Sequence, residues 1–147
     1  HLFDACRNHP RIHYHGAVPN EEIRKALQEA HIFAYPCNFE ETSCIAMIEA
    51  MSAGCVTVCS NLGALPETTA NFAVMYPYHS DATAHANLFG QLLHKTIKTI
   101  KRADDRLSTQ LRFQKQYFDT FYSWDRRIQE WIVLLEELLQ SRNSNGG

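Results

Sequence analysis

The sequence contains no apolar run as long as a membrane span, and no charged, apolar and small-residue series of the kind that marks a signal peptide. Nothing in it points to secretion or to a spanning helix, and a cytoplasmic location is expected. Net charge is scarce as well: 14 Lys and Arg against 16 Asp and Glu leave −2 at pH 7. That balance gives no electrostatic reason to expect nucleic acid or an anionic membrane as a partner. The densest basic stretch, Lys95 to Arg106, reads as a solvated helix face. Internal repeats and low-complexity domains are missing. The five cysteines, Cys6, Cys37, Cys44, Cys55 and Cys59, are odd in number and scattered, which argues against a disulfide framework. Three fall in apolar surroundings and read as reduced, buried thiols. The chain opens on His1 in helix-like sequence instead of methionine, so part of a longer protein is expected ahead of it.

What is present is one domain's worth of chain, 147 residues with 45% hydrophobic composition, enough for a real core. It is organised around Glu41-Thr-Ser-Cys-Ile-Ala-Met-Ile-Glu49 and the following Ala50-Met-Ser-Ala-Gly54. Residues before Ser43 read as strand and turn, and Cys44 to Ala53 are helix formers stopped by Gly54 in an αL cap. Ser43 is the predicted N-cap of this strand-to-helix corner. The free N–H groups of Cys44, Ile45 and Ala46 and the positive end of the helix dipole would then face an anion. Glu41 stands just outside the helix, and Glu49 about six residues or ~9 Å inside it, leaning back toward the corner. Ionised carboxylates accept hydrogen bonds from hydroxyls and repel a bare phosphate. The ligand that suits all three features is a phosphate flanked by hydroxyl-bearing rings, as in a nucleoside diphosphate sugar. The same residues also allow a plainer reading, in which Glu41 only favours the helix dipole and Glu49 lies on a solvated face.

Around this corner the chain reads in order. Leu2 to Asn8 is the tail of a helix, and Arg11 to Gly16 a short strand with Ile12 and Tyr14 on one face. Cys6, His9, His13 and His15 are the one cluster resembling metal ligands. Their spacing fits none of the compact Cys/His signatures, so no metal is expected. Asn20 is the predicted N-cap of a helix whose Ile23, Ala26, Leu27 and Ala30 would pack on a sheet. His31 to Pro36 reads as a buried parallel strand, Cys55 to Ser60 as another, and Phe72 to Tyr76 as a fourth after the Asn61 to Glu67 loop and a short helix. Ser80-Asp81 caps a long helix with His85 and His94 at its surface or rim, not as ligands. A second amphipathic segment runs from Asp104 to Ser123, itself a new N-cap. Trp124, Ile128, Trp131, Ile132, Leu135, Leu138 and Leu139 then form a helical stripe that must be covered by something. The fold class is therefore α/β, a doubly wound parallel sheet with helices on both faces. Residues 1–140 form one unit with amphipathic helices over 81–140, and 141–147 a disordered polar tail.

The stretch from Pro36 to Glu67 resembles the E-x7-E region of the retaining glycosyltransferases of the GT-B fold, family 4 type. Proline, paired glutamates, Glu-Ala-Met, Ala-Gly and a later Gly-x-x-Pro-Glu occur here in that order, and the likeness extends from about Ile12 to Leu139. It implies the C-terminal, donor-binding, Rossmann-like half of such an enzyme. By the resemblance Glu49 accepts from ribose hydroxyls, Glu41 binds the donor sugar and carries the catalytic role, and the amides of Ser43, Cys44 and Ile45 hold the diphosphate, with Thr42 beside them. Gly16, Gly63 and Ala64 are loop contacts. No metal or other cofactor is implied, and the terminal helix is implied to cross toward the N-terminal domain.

Two departures qualify it. Thr42 and Cys44 stand where many relatives carry glycines, so the sugar pocket is shaped differently. The two strands and basic loop that normally open this half are absent before His1, so the half is incomplete. A missing N-terminal domain or a completing chain is expected to supply the acceptor site and cover the exposed sheet edge, and the chain alone should transfer nothing. The alternative is a degenerate transferase-like domain kept as a binding or assembly module, with the aromatic helix as its interface. A glycosidase using Glu41 and Glu49 is a weak third reading, because neither looks desolvated enough to stay protonated opposite its partner.

Overall fold

The computed structural model describes residues 2–102 and 105–144. In chain order its elements are α1 (Leu2–Asn8), α2 (Asn20–Glu29), β1 (Ile32–Tyr35), α3 (Ile45–Ser52), β2 (Val56–Ser60), α4 (Leu65–Thr68), β3 (Val74–Tyr76), α5 (Ala82–Ile100), α6 (Asp105–Phe121) and α7 (Trp124–Ser144). The three strands are parallel in the order β1-β2-β3, with Ile32 opposite Val56, Tyr35 opposite Cys59, and Ser60 opposite Tyr76. This is the α/β class expected, a parallel sheet with helices around it. Every residue of β2 is buried, but β1, expected to be a buried strand, is half-buried with Ala34 exposed, because it lies at the edge of the three described strands. A parallel strand covered on both faces needs an apolar or small side chain at each position, and Val-Thr-Val-Cys-Ser supplies that.

Residues 11–16 form no strand, contrary to the sequence expectation; all six are exposed. Tyr14 lies instead against α1, its ring 5.6 Å from that of Phe3 and 5.3 Å from the Arg7 guanidinium carbon. A single extended segment has no ladder partner of its own, and its backbone is left to water. The sheet thus has three described strands where four were expected, and β1 pairs on one side only. On α2 the cap falls on Pro19, not Asn20, and of the expected apolar stripe Leu27 alone is buried.

The core lies between the sheet, α3 and α6. Met47 and Met51, one turn apart on α3, pack with Cys44, Cys59 of β2, Leu65 and Phe118 of α6. A second cluster joins Leu27, Ala50 and Cys55. Full burial of side chains such as Phe118 and Met47 stabilises by roughly 1.5–3 kcal/mol each. Cys44, Cys55 and Cys59 are buried, and all five cysteines are free thiols.

α3 ends as the sequence predicts, on Gly54 at φ +88°. The Cys55 N–H donates to Ala50 O (3.0 Å) and the Gly54 N–H to Met51 O (3.1 Å), the paired bonds of a Schellman cap. α6 completes that end: the buried Gln114 Nε2 donates to Met51 O (3.1 Å) and Cys55 O (3.0 Å), and Lys115 Nζ to Ser52 O (2.8 Å). A cation there also complements the negative end of the helix dipole.

Asp81 caps α5, its carboxylate accepting from the Ala84 N–H at 2.8 Å. His85 is buried, not at the helix surface or rim as expected. The rings of Tyr76 and Tyr78 close over it at 5.3 and 5.5 Å, and its Nε2 lies 3.0 Å from the Tyr76 hydroxyl. His94 is exposed. Ser123 begins α7 as predicted, its hydroxyl accepting from the Arg126 N–H at 3.3 Å. α7 runs to Ser144, so residues 141–144 of the expected tail continue the helix; residues 145–147 lie outside the described residues, as do His1 and the predicted helix start at Asp104. The apolar stripe of α7 is exposed, Trp124 by 79% and Trp131 by 60%. No helix among the described residues is long and apolar enough to cross a membrane.

Candidate functional site

The corner stands at the carboxyl end of β1, where Pro36 turns the chain out of the strand and α3 starts nine residues later. The last non-helical residue is Cys44 (φ −100°, ψ 100°), so the cap falls one residue beyond the predicted Ser43, and no side chain caps the helix. The cause is packing. Cys44 is buried against the α3 cluster and fixes the helix entry, while Ser43 and Thr42 point to solvent. The first intrahelical bond of α3 runs from the Ile48 N–H to Cys44 O (3.1 Å). The amides of Ile45, Ala46 and Met47 therefore have no intrahelical acceptor, a set shifted one position from the Cys44, Ile45 and Ala46 expected. Ile45 itself is 70% exposed at this tip.

Glu41 is fixed from two directions. The Tyr35 hydroxyl donates to its Oε1 at 2.7 Å. The hydrogen bond to Glu41 is the main reason the Tyr35 phenol is held well above the usual tyrosine range, with burial adding to it. From the other side comes the Asn61–Ala64 loop. Gly63 (φ +56°) approaches so closely that a Cβ there would lie 2.8 Å from Glu41 O and 2.9 Å from Glu41 N, and the Ala64 N–H donates to Glu41 O at 2.8 Å. Gly63 and Ala64 thus join the corner through backbone contacts, as only a residue without a side chain at 63 allows. Gly16 lies in the exposed segment ahead of α2, with no hydrogen bond to the corner among the described residues.

Glu49 has different neighbours. Its Oε1 accepts from Arg24 Nε and Nη2, both at 3.1 Å, and from Asn20 Nδ2 at 3.2 Å. Its side chain is 20% exposed. The two glutamates share no hydrogen-bond partner among the described residues: Glu41 precedes α3, and Glu49 is the fifth of its eight residues. Arg24 and Asn20 were missed in the sequence, although their spacing of four puts both on one face of α2, the one sign that they act together. Glu49 and Arg24 line a groove of about 800 Å³ between α2, α3, α6 and the start of α7, whose apolar walls include Leu27, Phe118 and Trp124. On its far side Ser52, Lys115 and Asp119 form a hydrogen-bonded group. Burial alone would raise the Asp119 carboxyl, but hydrogen bonds from Lys115 and Ser52 and the Lys115 charge hold it below its ordinary value.

Among the described residues no three His, Cys, Asp or Glu side chains come together as metal ligands. His9, in the cluster considered from the sequence, accepts at Nδ1 from the Arg11 N–H (3.2 Å) within an exposed turn.

The chain that builds this corner is similar in sequence to known proteins. Over 57 residues the chain is 40% identical to a phosphatidylinositol N-acetylglucosaminyltransferase subunit of Arabidopsis thaliana, a stretch covering 39% of this chain and 12% of that protein. Over 56 residues it is 43% identical to the O-antigen chain mannosyltransferase B of Escherichia coli, covering 38% of this chain and 14% of that protein. The matched stretch thus spans about an eighth of the curated relatives' length. No solved structure matches. The family model for glycosyl transferases group 1 matches residues 1–107, the part that holds the sheet, the corner and the Gly63 loop. The chain belongs to the glycosyl transferases group 1 family.

Proposed function

We propose that the chain is the donor-binding part of a retaining glycosyltransferase of the family 4, E-x7-E type, taking a nucleoside diphosphate sugar and transferring a hexosyl group. The observation that carries this reading is the uncapped start of α3 with Glu41 held ahead of it and Glu49 behind. The bare amides of Ile45, Ala46 and Met47 and the helix dipole favour the diphosphate, and most of all the charge that builds on it as the glycosyl bond breaks. Tyr35 occupies one oxygen of Glu41, leaving Oε2 to accept from donor-sugar hydroxyls. Arg24 and Asn20 occupy Oε1 of Glu49, leaving Oε2 for the ribose. Charge on the leaving group is met by amides and cations, with no metal required. The acceptor is held by another domain or chain, without which transfer does not proceed. Hexosyl donors fit the names of the two relatives, an N-acetylglucosaminyltransferase and a mannosyltransferase.

Titrating UDP, GDP and ADP into the chain by calorimetry tests this. Binding of one of them, abolished by Glu49→Ala, supports a donor site. A second reading, a non-catalytic binding or assembly module, draws on the exposed apolar face of α7, and the absence of any nucleotide binding favours it.

A further inference from the structure

We infer that Tyr35 is the positioning residue for Glu41, its hydroxyl setting which carboxylate oxygen faces the donor sugar. The inference rests on the donor-site reading above.

Glu41 lies half-buried in the loop between β1 and α3, next to the exposed Thr42 and Ser43, and its three rotatable bonds leave the carboxylate in need of a partner that selects one rotamer. The Gly63 and Ala64 contacts reach only its backbone. Tyr35 supplies the missing constraint on the carboxylate. It is the last residue of β1, and its ring stacks on Phe33, two residues back on the same face, at 5.6 Å and 16°. It also packs against the cluster of Cys44, Met47 and Cys59. A ring held on a strand by a stack and by the core presents its hydroxyl at a fixed point, and Glu41 Oε1 is 2.7 Å from it.

Phenylalanine would fill the same space, so packing alone gives no reason for a hydroxyl here. A partly buried phenol is costly unless bonded, and Glu41 is the partner that bonds it. With Oε1 engaged by the phenol, the carboxylate is turned so that Oε2, with both its lone pairs, is the oxygen left to accept from a bound sugar.

The experiment compares UDP-N-acetylglucosamine with UDP, and GDP-mannose with GDP, by calorimetry on the full chain. The sugar increment is the affinity for the sugar nucleotide divided by that for the bare diphosphate. In Tyr35→Phe the bare diphosphate affinity and the melting temperature stay at their wild-type values, while the increment falls about tenfold, the range for a hydrogen bond to a charged group. Glu41→Gln lowers it similarly, and Tyr35→Phe then has no further effect in the Glu41→Gln background, because the two residues act as one unit. An unchanged increment in Tyr35→Phe, or none in the wild type, with nucleotide binding intact, overturns the positioning role and leaves the donor site standing. Equal losses of both affinities with a lower melting temperature also overturn it, in favour of a structural role. If the wild-type chain binds no nucleotide, the donor-site reading fails and the positioning role fails with it.

Discussion

A β-carbon on Gly63 would stand 2.8 Å from the carbonyl oxygen of Glu41, closer than real side chains approach backbone. The two residues are 22 apart in sequence, yet the Gly-x-x-Pro-Glu loop and the glutamate corner meet here as one backbone unit. Gly63→Ala is expected to destabilise the chain by roughly 1–3 kcal/mol, from the strained positive φ together with the displaced loop. Thermal unfolding followed by circular dichroism measures this; a melting temperature equal to the wild type would show that the loop yields freely.

Gln114 is expected to be the costliest polar side chain to remove. Its buried Nε2 serves Met51 O and Cys55 O, and Gln114→Ala takes that donor from both carbonyls, of which Met51 O keeps the Gly54 N–H, and opens a cavity. The expected loss is roughly 2–4 kcal/mol. A urea midpoint shifted by no more than that of an exposed control such as Gln129→Ala would contradict it.

Stability should fall on the alkaline side. Burial pushes the Cys59 thiol from its ordinary 9.0 up to about 12, and the Tyr76 phenol from 10.0 up to about 12. Both groups stay protonated in the folded chain after they ionise in the unfolded one, so the unfolded state binds fewer protons above pH 9. Their contribution is whole below the unfolded values and is lost as pH rises toward 12. Asp119 acts in the opposite sense: its lowered value contributes stability present above 3.8 and lost as pH falls through the folded value. Urea midpoints at pH 7, 9 and 10.5 check the first claim, which requires a decline across the last two and little change across the first two.

Both tryptophans of the chain lie on α7 and both are exposed, so intrinsic tryptophan fluorescence reports on that helix alone. Dilute protein should show solvent-like emission, freely quenched by acrylamide. Blue-shifted, protected emission would mean that something covers the stripe.

Ser43→Ala is expected to cost less than about 0.5 kcal/mol, because residue 43 lies outside the cap, where a serine N-cap would cost about 1 kcal/mol. Chemical denaturation distinguishes the two values.

That last substitution marks where the sequence is legible and where it stops being so. Gly54 is readable because the demand it meets is local: a helix end that needs a positive φ. The apolar run of β2 is readable because a doubly covered parallel strand admits little else, whereas the equally apolar run of β1 sits at the sheet edge, half-buried with Ala34 exposed. The cap at Cys44 is not, since the core pulls that thiol inward and carries the helix start with it. Nor is Asn20, whose amide reaches a glutamate 29 residues away in place of its own helix end. His85 stands three, four and seven residues before Leu88, Phe89 and Leu92, so helical spacing puts it on the apolar face of α5, where Tyr76 and Tyr78 cover it; its polar ring, not its spacing, makes it read as surface. Arg11 to Gly16 carries strand periodicity, but periodicity cannot supply a neighbouring strand. In the site, the Gly63 loop and Glu41 are joined as the motif order implies; the Tyr35 hydroxyl and the Arg24 guanidinium are long-range partners with no local signature.

The family match stops at residue 107, yet Phe118 closes the interior and Gln114 ties down the trailing end of α3. The portion that evolution marks as kin is thus smaller than the portion that must fold. Trimming the polypeptide to the recognisable boundary would keep every residue of the corner and discard the scaffold that holds it in place.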